Sequence, residues 1–200
     1  MKGLTYIGPA IDDKATYSKL PKELQHLLNE TNGYIAFGGG FHLRGACSSP
    51  DWHSINAFWE GEYALYRLFN NVSSTDIPFA EDCMGDQFII REGNILKLLA
   101  ETGEIEDMET NIADFLANIE DNPVEFLLLH PLMRFYSDGG KLEPGQLLFV
   151  YPPFCTTEAS DEIYLDPIDS IQLLMGHARL SQELSKLSPG ESFDMREMLK

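Results

Sequence analysis

Three acids, Glu81, Asp82 and Asp86, stand around Cys83 and Gly85 in the stretch IPFAEDCMGDQFII. Carboxylates at that density are raw material for a Mg²⁺ or Ca²⁺ site, which wants several oxygen ligands in defined geometry, or for general acid–base work. The spacing lacks the regular alternation of acids and the closing glutamate of a calcium loop. Zinc would need histidines beside Cys83, and the nearest in sequence, His53 and His130, lie far along the chain. A turn explains more: Asp82 and Gly85 favour one, Phe79 anchors it, and Asp86 begins a strand.

Other reactive types are equally sparse. Cys47 and His53 form the one close Cys/His pair, but nothing nearby marks an orienting group or an oxyanion hole. A small buried cysteine beside a Trp-rich helix accounts for Cys47. The five histidines make no HxxxH or HExxH, and GxSxG is absent. Gly38-Gly39-Gly40 could cradle a phosphate only with a helix start behind it, and FHLRG reads as a strand instead. Tyr151, Pro152, Pro153 and Phe154 read as a rigid loop. The residues thus predict no catalytic group, no metal and no cofactor.

Charge is the stronger signal. The chain carries 32 acids against 14 bases, a net −18 over 200 residues. Nucleic-acid phosphates and anionic membranes are excluded as partners held by general electrostatics, and basic partners are favoured. Residues 76–125 hold fourteen acids and two bases, or −12, two thirds of the whole. Three scattered cysteines without CxxC spacing argue against a disulfide framework and fit a reducing compartment. Gly8, Pro9 and Asp12 interrupt any signal-peptide core, and no apolar run approaches the roughly 20 residues that span a bilayer. A soluble, cytoplasmic protein is expected.

The elements that must position these residues follow from periodicity. LPKELQHLLNETNG reads as a helix over about 21–32, with Leu20, Leu24, Leu27 and Leu28 on one face. YIAFGGGFHLRG reads as two strands about a glycine turn. Trp52, Ile55, Phe58 and Trp59 have helical spacing, 62–69 fits either strand or helix, and these aromatics with Tyr66 would supply an interface between copies if exposed. DQFIIREGNILKLLAETGEIEDM reads as two or three short strands turning at Gly93 and Gly103. Phe88, Ile89, Ile90, Leu96, Leu98 and Leu99 put apolar groups on both pleat faces, which predicts helices on both sides. A capped helix with Ile112, Phe115, Leu116 and Ile119 inward follows, then a second interrupted by Pro131. The last sixty residues read as strand, strand, a long helix capped by Asp166 with Pro167 in its first position, and a strand in GESFDMREML. The expectation is one continuous α+β unit.

Taken in order, LPKELQHLLNETNG, IPFAEDCMGDQFII, ILKLLAETGEIEDM and NIADFLANI resemble the SUKH superfamily, which holds bacterial immunity proteins and fungal cell-wall-synthesis regulators. The likeness covers residues 17–120, with 123–200 as an extension packed on that core, so that 1–200 form a single SUKH-like domain. It implies a mostly antiparallel mixed sheet flanked by helices, in which Pro78, Phe79, Asp82, Gly85 and Asp86 are structural motif residues. It also implies a non-enzymatic immunity protein that neutralises a cognate toxin domain by stoichiometric binding. A nuclease toxin would carry a basic groove that an acidic surface could occupy. Glu101, Glu104, Glu106, Asp107 and Glu109, on protruding turns, are the expected contacts, ahead of Glu81 and Asp82. The alternatives are a housekeeping regulatory module of the same fold and a metal-dependent enzyme using Glu81, Asp82 and Asp86.

Overall fold

The computed structural model describes residues 3–156, 159 and 163–188. Seven strands follow one another in chain order across an antiparallel sheet: β1 (Tyr6–Ile7), β2 (Tyr34–Ala36), β3 (Phe41–Leu43), β4 (Ile77–Asp82), β5 (Gln87–Arg91), β6 (Asn94–Leu99) and β7 (Glu104–Asp107). The architecture is α+β, as expected. Gly93 and Gly103, at φ of 89° and 74°, make the β5–β6 and β6–β7 turns in the left-handed region that glycine enters freely.

Helices lie in the connections: α1 (Lys14–Lys19), α2 (Lys22–Glu30), α3 (Ile55–Trp59), α4 (Leu65–Leu68), α5 (Ile112–Asp121), α6 (Pro123–Phe126), α7 (His130–Ser137) and α8 (Ser170–Leu184). Asn111 caps α5 by accepting from the Asp114 N–H, and Ile112, Phe115 and Ile119 fall one turn apart on its buried face. Pro131 sits in the first turn of α7, where a missing N–H costs nothing, so the chain breaks before it into two helices.

Both pleat faces are covered. On one side Leu24 and Leu28 of α2, Phe115 of α5 and Leu132 of α7 meet Phe41, Phe79, Phe88, Ile90 and Ile95. On the other, Phe58 of α3, Leu65 of α4 and Leu174 and Ala178 of α8 meet Ile89, Leu96 and Leu98. Phe58 and Trp59 are buried and so cannot form an interface between copies.

Two boundaries move. IPFAED is not a turn but strand β4, with Pro78 tolerated because the register slips at a bulge between Pro78 and Ala80; the turn is confined to 83–86. In the C-terminal part β8 (Gln146–Tyr151) pairs with β9 (Tyr164–Asp169), and β9 runs through Pro167 opposite Leu148. The cap of α8 is therefore Asp169, whose carboxylate accepts from the Ile171 and Gln172 N–H groups, and not Asp166. The strand expected in GESFDMREML lies outside the described residues.

Candidate functional site

Strand β4 sends successive side chains to opposite faces of the sheet, and this decides the fate of the acid cluster. Opposite it on β3, Glu81 faces His42 and Asp82 faces Phe41. The two adjacent carboxylates therefore enter separate layers, each already supplied with a cation.

On the α3/α8 side Glu81 is buried with Arg44, the largest wholly buried side chain. Arg44 donates to Glu81 Oε2 at 2.6 Å and to Gln87 Oε1 at 2.7 Å, and its guanidinium lies 3.9 Å from the centroid of the Phe58 ring. Gln87 Nε2 donates to Glu81 Oε2 and to the Gly85 carbonyl. Glu81 Oε1 meets His42 Nδ1 at 2.9 Å, His42 Nε2 meets His53 Nδ1 at 2.8 Å, and His53 Nε2 donates to the Asn32 carbonyl at 2.9 Å. Burial pushes the Glu81 carboxyl upward, but Arg44 and His42 outweigh it and hold the group below the usual carboxylate range.

On the other face Lys97 reaches across from β6. Its Nζ lies 2.9 Å from Asp86 Oδ2 and 3.4 Å from Asp82 Oδ2. Asp82 Oδ1 accepts the N–H groups of Met84 and Asp86, which shapes the turn, and Asp86 Oδ1 accepts the Ala100 N–H. Burial and the Asp86 charge push Asp82 up to about 7 despite Lys97. Gly85, at φ +91°, closes the turn against Leu173 and His177 of α8.

These placements correct one expectation and bear on one of the alternatives. Glu81 and Asp82, at 2% and 1% exposure, cannot touch a partner on the surface. Nor do Glu81, Asp82 and Asp86 converge on a metal: Glu81 faces away from the other two, and the Lys97 ammonium occupies the place between Asp82 and Asp86 that a cation would take. Among the described residues no group of His, Cys, Asp and Glu is arranged to hold a metal ion. Burial pushes the Cys47 thiol to about 11 and Cys83 well above its ordinary value, so neither is a thiolate near neutrality. Pro78, Phe79, Asp82, Gly85 and Asp86 form the bulge, core contact and turn. Arg44, His42, Gln87 and Lys97, which complete the two clusters, were not anticipated from the sequence.

The outward acids are different residues. Glu104, Glu106, Asp107 and Glu109 are exposed on and just after β7, the last strand of the sheet, and Asp114, Glu120 and Asp121 are exposed on α5. Among the described residues none of these seven pairs with a Lys, Arg or His. An open recess of about 600 Å³ lies between Asn71, Arg91, Glu104, Ile105 and Glu106. Glu101 departs from the set. It is half-buried and accepts the N–H groups of Phe154 and Cys155, tying the loop after β8 to the β6–β7 turn.

No helix among the described residues is long and apolar enough to cross a membrane. No family model matches the chain, and no curated protein matches it. Among solved structures it is similar to Atu4351 from Agrobacterium tumefaciens, with a TM-score of 0.54 and 13% identity over 88% of this chain and 85% of that one. At that identity the likeness is one of fold, and the α+β architecture is what the two proteins share.

Proposed function

We propose that this chain is a non-enzymatic binding protein of SUKH type, an immunity protein that neutralises a basic toxin domain by stoichiometric binding. The observation that carries the reading is how charge is divided within residues 76–125. Both bases of that block are spent on inward acids: Arg91 grips the buried Asp76 at 2.6 Å, and Lys97 holds Asp82 and Asp86. Among the described residues no Lys, Arg or His forms an ion pair with the exposed acids of β7 and α5. Such a surface speeds encounter with a positively charged partner and selects against acidic ones, and its reach falls within about 10 Å at 0.1 M salt. Glu104, Glu106, Asp107 and Glu109 are the contacts we assign.

The test is recovery of partners from the native host with two tagged baits, the wild-type chain and an E104K/E106K/D107K/E109K variant of verified fold. A basic toxin domain held one-to-one by the wild type, released by salt and lost by the variant, is the expected result. A toxin bound equally by both baits would move the contact elsewhere. Recovery of endogenous cellular proteins alone would replace immunity with a regulatory role.

A further inference from the structure

Asn32, His53, His42 and Glu81 stand in one line from the loop after α2, across the 3-10 turn at Asp51–His53, to β3 and β4. Their three contacts measure 2.9, 2.8 and 2.9 Å, all hydrogen-bond lengths. The protons in them can be counted. A carbonyl only accepts, so His53 Nε2 must carry a hydrogen. If His53 is neutral its Nδ1 is bare, and the proton in the His–His contact comes from His42 Nε2. A neutral His42 would then turn a bare Nδ1 toward Glu81, setting lone pair against lone pair at 2.9 Å. Starting from Glu81 moves the gap without closing it: His42 Nδ1–H leaves Nε2 bare, and His53 must carry hydrogen on both nitrogens. Three contacts need three protons, and two neutral imidazoles supply two.

We propose that Glu81, His42 and His53 form a buried proton-binding site that keeps three protons in the folded chain above the pH at which free imidazoles have lost theirs. The third proton resides on one of the two imidazoles, because Arg44 and His42 hold the Glu81 carboxyl ionised. It fastens the N-terminal arm and the segment after β3 to the sheet, because Asn32 also donates to the Pro9 carbonyl and accepts from the Ala46 N–H.

The surroundings fix the rings. A Cβ on Gly8, Gly33 or Gly45 would lie 2.3, 2.5 or 2.8 Å from a His53 ring atom, so three glycines form a cage that His53 fills. Trp52 packs against both imidazoles. The titratable and charged groups facing the pair are Glu81 from β4, Arg44 from the segment after β3 and Tyr6 from β1, whose ring centroid lies 5.0 Å from that of His53. Burial shifts both imidazoles down, His42 adds to this at His53 and Arg44 at both, while the Glu81 carboxylate favours charge on the rings. The line of contacts requires only that one of the two rings keep the extra proton.

The two proton counts predict opposite pH dependence. In the unfolded chain the histidines titrate near 6.5 and glutamate near 4.3, so above about pH 7 the three groups hold two protons. A folded relay with three binds one more than the unfolded chain, and stability falls as pH rises through the folded pKa. A folded relay with two, its histidines depressed, loses stability on acidification below about 6.5 and is indifferent above it. Urea unfolding of the full chain and of a His42→Gln/His53→Gln variant from pH 6.5 to 9 separates them, the variant subtracting every other titrating group. The expected result is a wild-type unfolding constant that rises relative to the variant by about tenfold per pH unit until the relay releases its proton. A ratio independent of pH over that range overturns the proposal. Should the variant not fold, NMR of ¹⁵N-histidine and ¹³C-carboxyl-labelled wild-type protein at pH 8 counts the protons directly. Three across the two rings and Glu81 sustain the relay, and two sink it.

Discussion

Glu81 and Asp82 are neighbours in sequence, equally buried, and each faces a cation, yet their settings diverge. Glu81 meets Arg44, Gln87 and His42 with both oxygens engaged. Asp82 has one oxygen committed to backbone N–H groups, while its Oδ2 has no hydrogen bond and sees Lys97 only at 3.4 Å. The difference lies in the donors. Arginine presents a planar fork that can serve a carboxylate and an amide at once, whereas one ammonium shared by Asp82 and Asp86 serves the nearer better. Glu81 is therefore locked in its ionised form, and Asp82 is poised to take a proton.

The comparison breaks most sharply at Arg44. Arg44→Met strands the Glu81 carboxylate in a dry layer and removes the stacking on Phe58, and a loss of about 3–5 kcal/mol in urea unfolding is expected. Adding Glu81→Leu to that variant should recover much of the loss, since the ion pair can be exchanged for apolar volume. No recovery would mean that Arg44 acts through its packing and not through Glu81.

Lys97→Met should cost less, about 1–3 kcal/mol at pH 8, because Asp82 can escape its loss by binding a proton. The sign follows from the raised pKa. Asp82 titrates near 7 when folded and near 3.9 when unfolded, so the folded chain takes up the proton and gains stability as pH falls between those values. The cost of Lys97→Met should accordingly shrink on acidification to pH 6. Asp82→Asn, which keeps the oxygen that accepts from Met84 and Asp86, should flatten the wild-type dependence over the same window and be nearly neutral at pH 8. An unaltered dependence in Asp82→Asn would assign the proton to another group.

The sequence made these layers only partly legible. The β5–β6–β7 ladder and α5 were readable because apolar period, glycine turns and a cap agreed with one another. FHLRG was readable as a strand, but the burial of its polar side chains was not, because His42 and Arg44 alternate with Phe41 and Leu43, the pattern of a strand with one wet face. The signal that could have corrected this was already in FII and ILKLL. Apolar residues on both faces there mean that both faces of the sheet are covered, so polar side chains at matching positions on β3 and β4 must be buried and must pair. The same reasoning would have separated Glu81 from Asp82 once IPFAED was read as a strand, since period two forbids neighbours a common site. Nothing local could have joined His42 to His53, which depends on three glycines from distant segments closing around one ring.

The smallest structural effect is expected where the functional one should be largest. Glu104, Glu106, Asp107 and Glu109 make few internal contacts: the Glu104 N–H bonds the Thr102 hydroxyl, and Asp107 Oδ1 accepts the Glu109 N–H. Exposed substitutions of this kind usually change stability by no more than about 0.5 kcal/mol each. Here reversal to lysine also reduces the net charge of the chain from −18 to −10 (four changes of +2 each), which reduces its overall self-repulsion, so the fourfold variant should unfold at a urea concentration equal to or above that of the wild type. Acid on an edge strand has a second use, since charge there discourages pairing with another sheet. Size-exclusion chromatography at low salt separates the two roles. Lysines also carry charge and keep the edge blunt, so E104K/E106K/D107K/E109K should elute as the wild type does, whereas replacing the same four by threonine should drive self-association. If the lysine variant itself associated, the acids would be serving to keep copies of this chain apart, and the partner surface would have to be sought on α5.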